Sequence, residues 1–218
     1  MRKLINFIEH IFESLRNKML RLSIKNKNFT IISRDCLGGY IYHKLGMKFL
    51  SPTINLFMNA DDFAYFCCYL EEYIKNAELV FEKIGNIVGK DFPICLLKPN
   101  NKDLPDLEIN FNHYSTFEEA KTKWLERSQR INWDNIYIIN DLAHDHVECY
   151  FKKESVEIFN NAKYKKIVLC TKPLGYNDEF IIKEPKGIDY PFMIRIKNKL
   201  TRKQYFEKFN YIKWLNNK

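Results

Sequence analysis

The stretch Ser33-Arg34-Asp35-Cys36-Leu37-Gly38-Gly39 sets a thiol, a carboxylate, a guanidinium and two adjacent glycines side by side. Those residue types, placed where a strand turns into a helix, have the makings of a site. Glycines let a ligand approach the backbone closely, and the first turn of a helix offers N–H groups to a phosphate or carboxylate. Cys36, near that helix start, stands where a thiol can act as a nucleophile. Ser33, Gly38 and Gly39 are therefore candidate ligand-binding residues and Cys36 a candidate catalytic one. The pattern is neither a GxGxxG fingerprint nor a P-loop, and a turn needs glycine in any case.

Three more positions could do chemistry. Asp141 closes the apolar run "NIYIIND", where a carboxylate can take a hydroxyl, a metal or a proton. His113 ends the alternating run "DLEINFNHY"; it is a core histidine, a general base or a hydrogen-bond partner of a substrate. Lys172 follows "KIVLC" and could neutralise a phosphate at the same sheet edge, or be a loop lysine. His144, Asp145, His146 and Glu148 are metal-ligating types, but their spacing is not diagnostic and Asp145 reads equally as a helix cap. No metal site is assigned, and no cofactor is identified.

These residues need a frame that brings strand ends together. The runs "NFTIIS", "PICLLK", "NIYIIND", "KKIVLC" and "EFIIK" read as strands. Helices are expected over Gly39 to Leu45, with Gly46 as a left-handed cap, and from an N-cap at Asn59. Others are expected over 117 to 129 behind a Thr116/Glu119 capping box, over 146 to 160, and after Thr201 and Gln204. Strands alternating with helices predict an α/β domain, a three-layer Rossmann-like α/β/α arrangement with a mixed, mostly parallel central sheet. The strand at 106 to 113 is its expected antiparallel member. Ligands in such sheets collect at the carboxyl ends of the strands, where Ser33, Asp141 and Lys172 fall.

Ahead of the domain, which spans 28 to 218, residues 1 to 27 form a separate basic helix. Ile5, Ile8, Phe12, Leu15, Met19 and Leu22 make one stripe on it. The stripe can pack on the domain, pair with a second copy or lie on an anionic membrane. The chain has a net charge of +8, and its ends carry it: residues 1 to 27 hold seven Lys/Arg against Glu9 and Glu13. Residues 195 to 218 hold eight against Glu207. Nucleic acid is disfavoured as a partner, because the aromatics among the C-terminal basic residues recur at helical spacing and read as a packing face. Glu9, His10 and Glu13 interrupt the first helix, so neither a signal peptide nor a membrane span is expected. Six cysteines without a CxxC spacing fit buried thiols in a reducing compartment, and the protein is expected in the cytoplasm, with a possible membrane association.

The segments "FTIISRDCLGGYIYHKLGMKFLSPTINLFM", "LEINFNHYSTFEEAKTKWLERSQRINWDNIYII" and "FNYIKWLN" together carry a family resemblance. The chain resembles a bacterial family of unknown biochemical activity, domain of unknown function 1919, whose members are often labelled exopolysaccharide biosynthesis proteins. The resemblance implies an α/β fold and a link to capsule or exopolysaccharide assembly. It implies matches at Ser33, Cys36, Gly38 and Gly39, and at Tyr42, His43, His113 and Tyr114, with Arg34 and Asp35 where the family has asparagines. His43 joins the candidate ligand-binding residues on that ground. Two functions follow as expectations. One is a transferase acting on a sugar nucleotide or lipid-linked glycan; the other is a non-catalytic accessory protein that binds glycan, a membrane surface or protein partners.

Overall fold

The computed structural model describes residues 2–143, 151–183 and 203–217. The chain opens with helix α1 (Arg2–Ser23), then strand β1 (Thr30–Ser33) and helix α2 (Leu37–Leu45). Helices α3 (Ala60–Cys68) and α4 (Leu70–Lys75) precede three strands, β2 (Glu78–Ile87), β3 (Lys90–Lys98) and β4 (Leu107–Asn110). Helix α5 (Phe117–Ser128), strand β5 (Ile136–Asp141), helix α6 (Lys153–Asn160) and strands β6 (Lys165–Cys170) and β7 (Glu179–Ile181) follow. A 3-10 turn (Tyr205–Lys208) and helix α7 (Tyr211–Asn216) come last.

The strands form two sheets rather than one. A four-stranded parallel sheet has the order β1-β5-β6-β7, and a three-stranded antiparallel sheet has the order β2-β3-β4. The expectation of a single mixed central sheet is thereby corrected. Strands β2 to β4 follow one another directly in sequence, with no crossover helix between them, so they pair antiparallel among themselves. The alternating strand joins that second sheet, and it ends at Asn110, three residues before His113.

In the parallel sheet β1, β5 and most of β6 are buried on both faces, which is why they read as continuous apolar runs, while the edge strand β7 is partly exposed. Ile31, Tyr137, Ile139, Ile167 and Leu169 point to one side, where they pack with Leu37, Ile41 and Tyr42 of α2 and with Tyr205, Phe206 and Leu215. Ile32, Ile136, Ile138, Val168 and Cys170 point to the other, against Phe63, Phe66, Trp124 and Phe159 from the helices and Leu97, Leu107 and Ile109 from the second sheet. Period-two alternation thus divides one apolar run between two cores.

Local signals hold the element ends. Asn59 accepts from the backbone N–H of Asp62 at 2.8 Å, and Thr116 from that of Glu119 at 3.2 Å. Gly46 takes φ +62 and caps α2. The last predicted capping box falls instead between Gln204 and Glu207, around the 3-10 turn, while Thr201 lies outside the described residues. Helix α6 begins at Lys153 in the described residues, and 144–150 lie outside them.

Candidate active site

Strand β1 delivers the chain to a turn whose polar groups answer one another. The Ser33 hydroxyl donates to the carbonyl of Asp35 at 2.8 Å and accepts from the N–H of Gly38 at 3.1 Å. The Asp35 carboxylate accepts from the N–H of Leu37 at 3.0 Å. Two of the first N–H groups of α2 are therefore occupied by the turn's own side chains. Those two N–H groups are thus already hydrogen-bonded within the turn, with the Asp35 carboxylate beside them. Gly38 has its reason inside the fold: a Cβ on it would meet the Ser33 Oγ at 2.6 Å. Gly39 has none of that constraint, since its nearest neighbour would be Ile54 at 3.5 Å.

Cys36 stands at the head of α2, partly exposed, and its Sγ lies 3.3 Å from Nε2 of His113. His113 is not a core residue. It sits exposed on the turn after β4, carried in from the second sheet. The segment 51–58 ties the two turns together. Thr53 accepts from the N–H of Ser33 at 3.0 Å, and Met58 donates its N–H to the carbonyl of Arg34 at 3.0 Å. On the other side, Phe57 and Asn110 exchange backbone hydrogen bonds, both at 2.9 Å, and the Tyr114 hydroxyl donates to the carbonyl of Ile54 at 3.0 Å. Arg127 clamps the same corner by donating to Tyr114 and to Ile54.

Partial burial, and secondarily the positive charge of Lys90 on the β2–β3 hairpin, hold the His113 imidazole below its ordinary pKa. A neutral imidazole at hydrogen-bond distance is what a thiol needs to lose its proton and become a nucleophile. One turn further along α2, burial and then the charges of Cys36 and Asp35 push the Tyr40 hydroxyl up. Tyr40 opens onto a cleft of about 470 Å³ between α1 and α2, where His43 joins His10, Ser14 and Asn17. The cleft is polar, and the Asn17 side-chain oxygen is buried there without a partner among the described residues.

The other predicted residues lie apart from this pair. Asp141 is fully buried, and its carboxylate accepts from the Tyr205 hydroxyl and from the N–H of Ala143. It is buried at the carboxyl edge of the sheet, apart from the Cys36–His113 pair. Ser33 is likewise buried, with its hydroxyl engaged in the turn. Lys172 is exposed beyond the end of β6, two strands away from β1. The sequence alone assigns no role of their own to Arg34, whose buried guanidinium donates to the carbonyls of Asp141 and Met58, and to Tyr40, which no spacing rule singles out. Arg34 is a charge directly after an apolar strand, a signal that was present. Among the described residues no three His, Cys, Asp or Glu are grouped to hold a metal ion, and the stretch His144 to Glu148 lies outside them.

Fold and site together define an α/β domain with a thiol–imidazole pair at the carboxyl end of its first parallel strand. The chain belongs to the family described as Domain of unknown function (DUF1919), whose model matches residues 7–216. It is similar to an uncharacterized protein of Haemophilus influenzae, 28% identical over 202 residues that cover 92% of this chain and 90% of the relative.

Proposed function

We propose that the protein is a transferase that carries an acyl group on Cys36 and passes it to a hydroxyl of a sugar nucleotide or lipid-linked glycan, in the service of exopolysaccharide or capsule assembly. The observation that carries this reading is the 3.3 Å approach of the Cys36 Sγ to Nε2 of His113. In the first step His113 takes the thiol proton, the sulfur attacks the donor carbonyl, and the leaving group departs with that proton as a thioester forms. In the second, His113 takes the proton of the acceptor hydroxyl, whose oxygen displaces the sulfur; the proton returns to Cys36. The polar cleft beside Tyr40 and His43, with hydroxyl, amide and aromatic groups, suits a glycan acceptor. The assignment to glycan assembly rests on the family resemblance.

The test is intact-protein mass spectrometry after incubation with acyl-coenzyme A donors, followed by hydroxylamine. An acyl adduct on the wild-type protein that hydroxylamine releases, absent in Cys36→Ser and slowed in His113→Gln, is the expected result. Wild-type glycan production by a strain carrying Cys36→Ser would remove the catalytic reading. It would leave the accessory-protein reading, which the outward apolar face of α1 favours.

A further inference from the structure

Helix α1 meets the domain with its polar side. Arg16 and Lys44 lie 3.5 and 3.3 Å from the carboxylate of Glu207, and Lys44 also lies 3.8 Å from Glu13. The side chains of Lys44 and Glu207 are only 5% and 4% exposed, so this is an ion cluster within the contact. Arg21 adds a bond to the carbonyl of Lys44, while Leu20 and Ile24 pack beside the core. Glu13 and Arg16, charged residues that would ordinarily face water on an amphipathic helix, are thus turned inward.

The apolar side points away. Phe7, Ile11, Phe12, Leu15, Met19 and Leu22 are between 44% and 79% exposed. They spread over an arc of about 140° at about 100° per residue. A groove of about 750 Å³ runs along this face, bordered by Lys18 and Lys203. No helix among the described residues is long and apolar enough to cross a membrane. A helix of this kind, apolar on a broad face and basic at its border, fits the boundary between lipid headgroups and acyl chains.

We propose that α1 lies flat on an anionic membrane surface, with Phe12, Leu15, Met19 and Leu22 among the acyl chains and Lys18 and Lys203 against the headgroups. Charge complementarity selects this occupant over a second copy of the chain. Residues 1 to 27 contain only Glu9 and Glu13 as acids, and Glu13 is committed to Lys44. Two α1 helices brought face to face would set basic borders against each other, whereas anionic headgroups neutralise them. The arc is also broader than the two-position seam of a paired coil. This inference does not rest on the acyl-transfer reading, and either can fail alone.

The test is flotation of the full chain with phosphatidylcholine vesicles, with and without phosphatidylglycerol. The wild-type protein should float with the anionic vesicles, less so at high salt, and stay behind with the neutral ones. The double substitution Leu15→Glu, Met19→Glu removes only exposed side chains and should leave the unfolding midpoint in place. It should lower partition on the order of a hundredfold, the effect of withdrawing two such side chains from an apolar phase. Lys18→Glu should weaken binding to anionic vesicles alone. Wild-type protein that ignores anionic vesicles, or a double variant that floats equally well, overturns the proposal. A dimer in light scattering that the double variant dissolves, without any vesicle binding, assigns the face to a second copy instead.

Discussion

Gly38→Ala tests whether the Cys36 turn is as tightly determined as its hydrogen bonds imply. The new methyl would stand 2.6 Å from the Ser33 Oγ and 3.3 Å from both the Ser33 Cβ and the Ile31 Cγ2. Ser33 cannot swing aside freely, because it is fully buried and its hydroxyl holds both Asp35 and Gly38. Overpacking of this order costs about 1–3 kcal/mol, and a disturbed Ser33 bond about 1 more. Replacing glycine in a helix returns about 1 kcal/mol, so the net loss should be about 1–3 kcal/mol. Ser33→Ala should cost about 2 kcal/mol by removing the hydroxyl's bonds to the Gly38 N–H and the Asp35 carbonyl. The double variant lacks the offending oxygen, so it should fall short of the sum by about 1–2 kcal/mol. Gly39→Ala is the control. Its methyl meets Ile54 at an ordinary 3.5 Å and should stabilise by about 0.5–1 kcal/mol. The assay is urea unfolding, reading midpoints at constant slope, with the rate of Cys36 alkylation by iodoacetamide as a second readout. Additivity of Ser33→Ala and Gly38→Ala within about 0.5 kcal/mol would refute the reasoning.

The lowered pKa of His113 has a sign that can be followed. The folded state disfavours the imidazolium, so stability should decline as pH falls from the ordinary histidine value of about 6.5 toward the lower folded value. In His113→Gln that part of the pH profile should flatten; a profile identical to wild type would show that the imidazole is not held as described. Val88 takes φ +51 beside Gly89 at φ +78, and it is 99% exposed at the hairpin tip. A β-branched residue is strained in that region, so Val88→Asn should raise stability by about 1 kcal/mol in the same urea assay. An unchanged midpoint would rule out the strain. Both polar atoms of the Asn140 side chain are buried without a partner among the described residues. Asn140→Leu, similar in volume, should therefore stabilise by about 1 kcal/mol, and a loss in thermal unfolding would instead reveal a bound water or other group on that amide.

Strands β1, β5 and β6 of the parallel sheet were legible because their cores are buried on both faces, so "TII", "IYII" and "IVL" have no polar alternative. Asn59, Thr116 and Gly46 were legible because a cap is a local bargain between one side chain and one helix end. Strand β2 was missed for the opposite reason: most of its length is exposed, and Glu82 and Lys83 break any alternation. The split into two sheets depends on which strands pair, a long-range outcome that no window of sequence contains. For α1 the stripe was visible, but its direction was not. That direction is set by Lys44 and Glu207, residues far along the chain that draw the polar side inward. Cys36 and His113 were each singled out for their own chemistry, on opposite sides of a long insertion. Their meeting could not be seen, because the hydrogen bonds that join the two turns pass through Thr53, Ile54 and Phe57, an irregular segment without periodicity.

Cys36 and His113 are 77 positions apart, and Arg34 reaches Asp141 across 107. Strand β1 pairs with β5 across the intervening helices and the antiparallel sheet, and such distant pairings are slow to form. During synthesis and refolding the thiol would then exist for a time without its imidazole. In an unfinished chain Cys36 is an ordinary exposed thiol, so a change in its alkylation rate during refolding would report the moment at which the two turns meet.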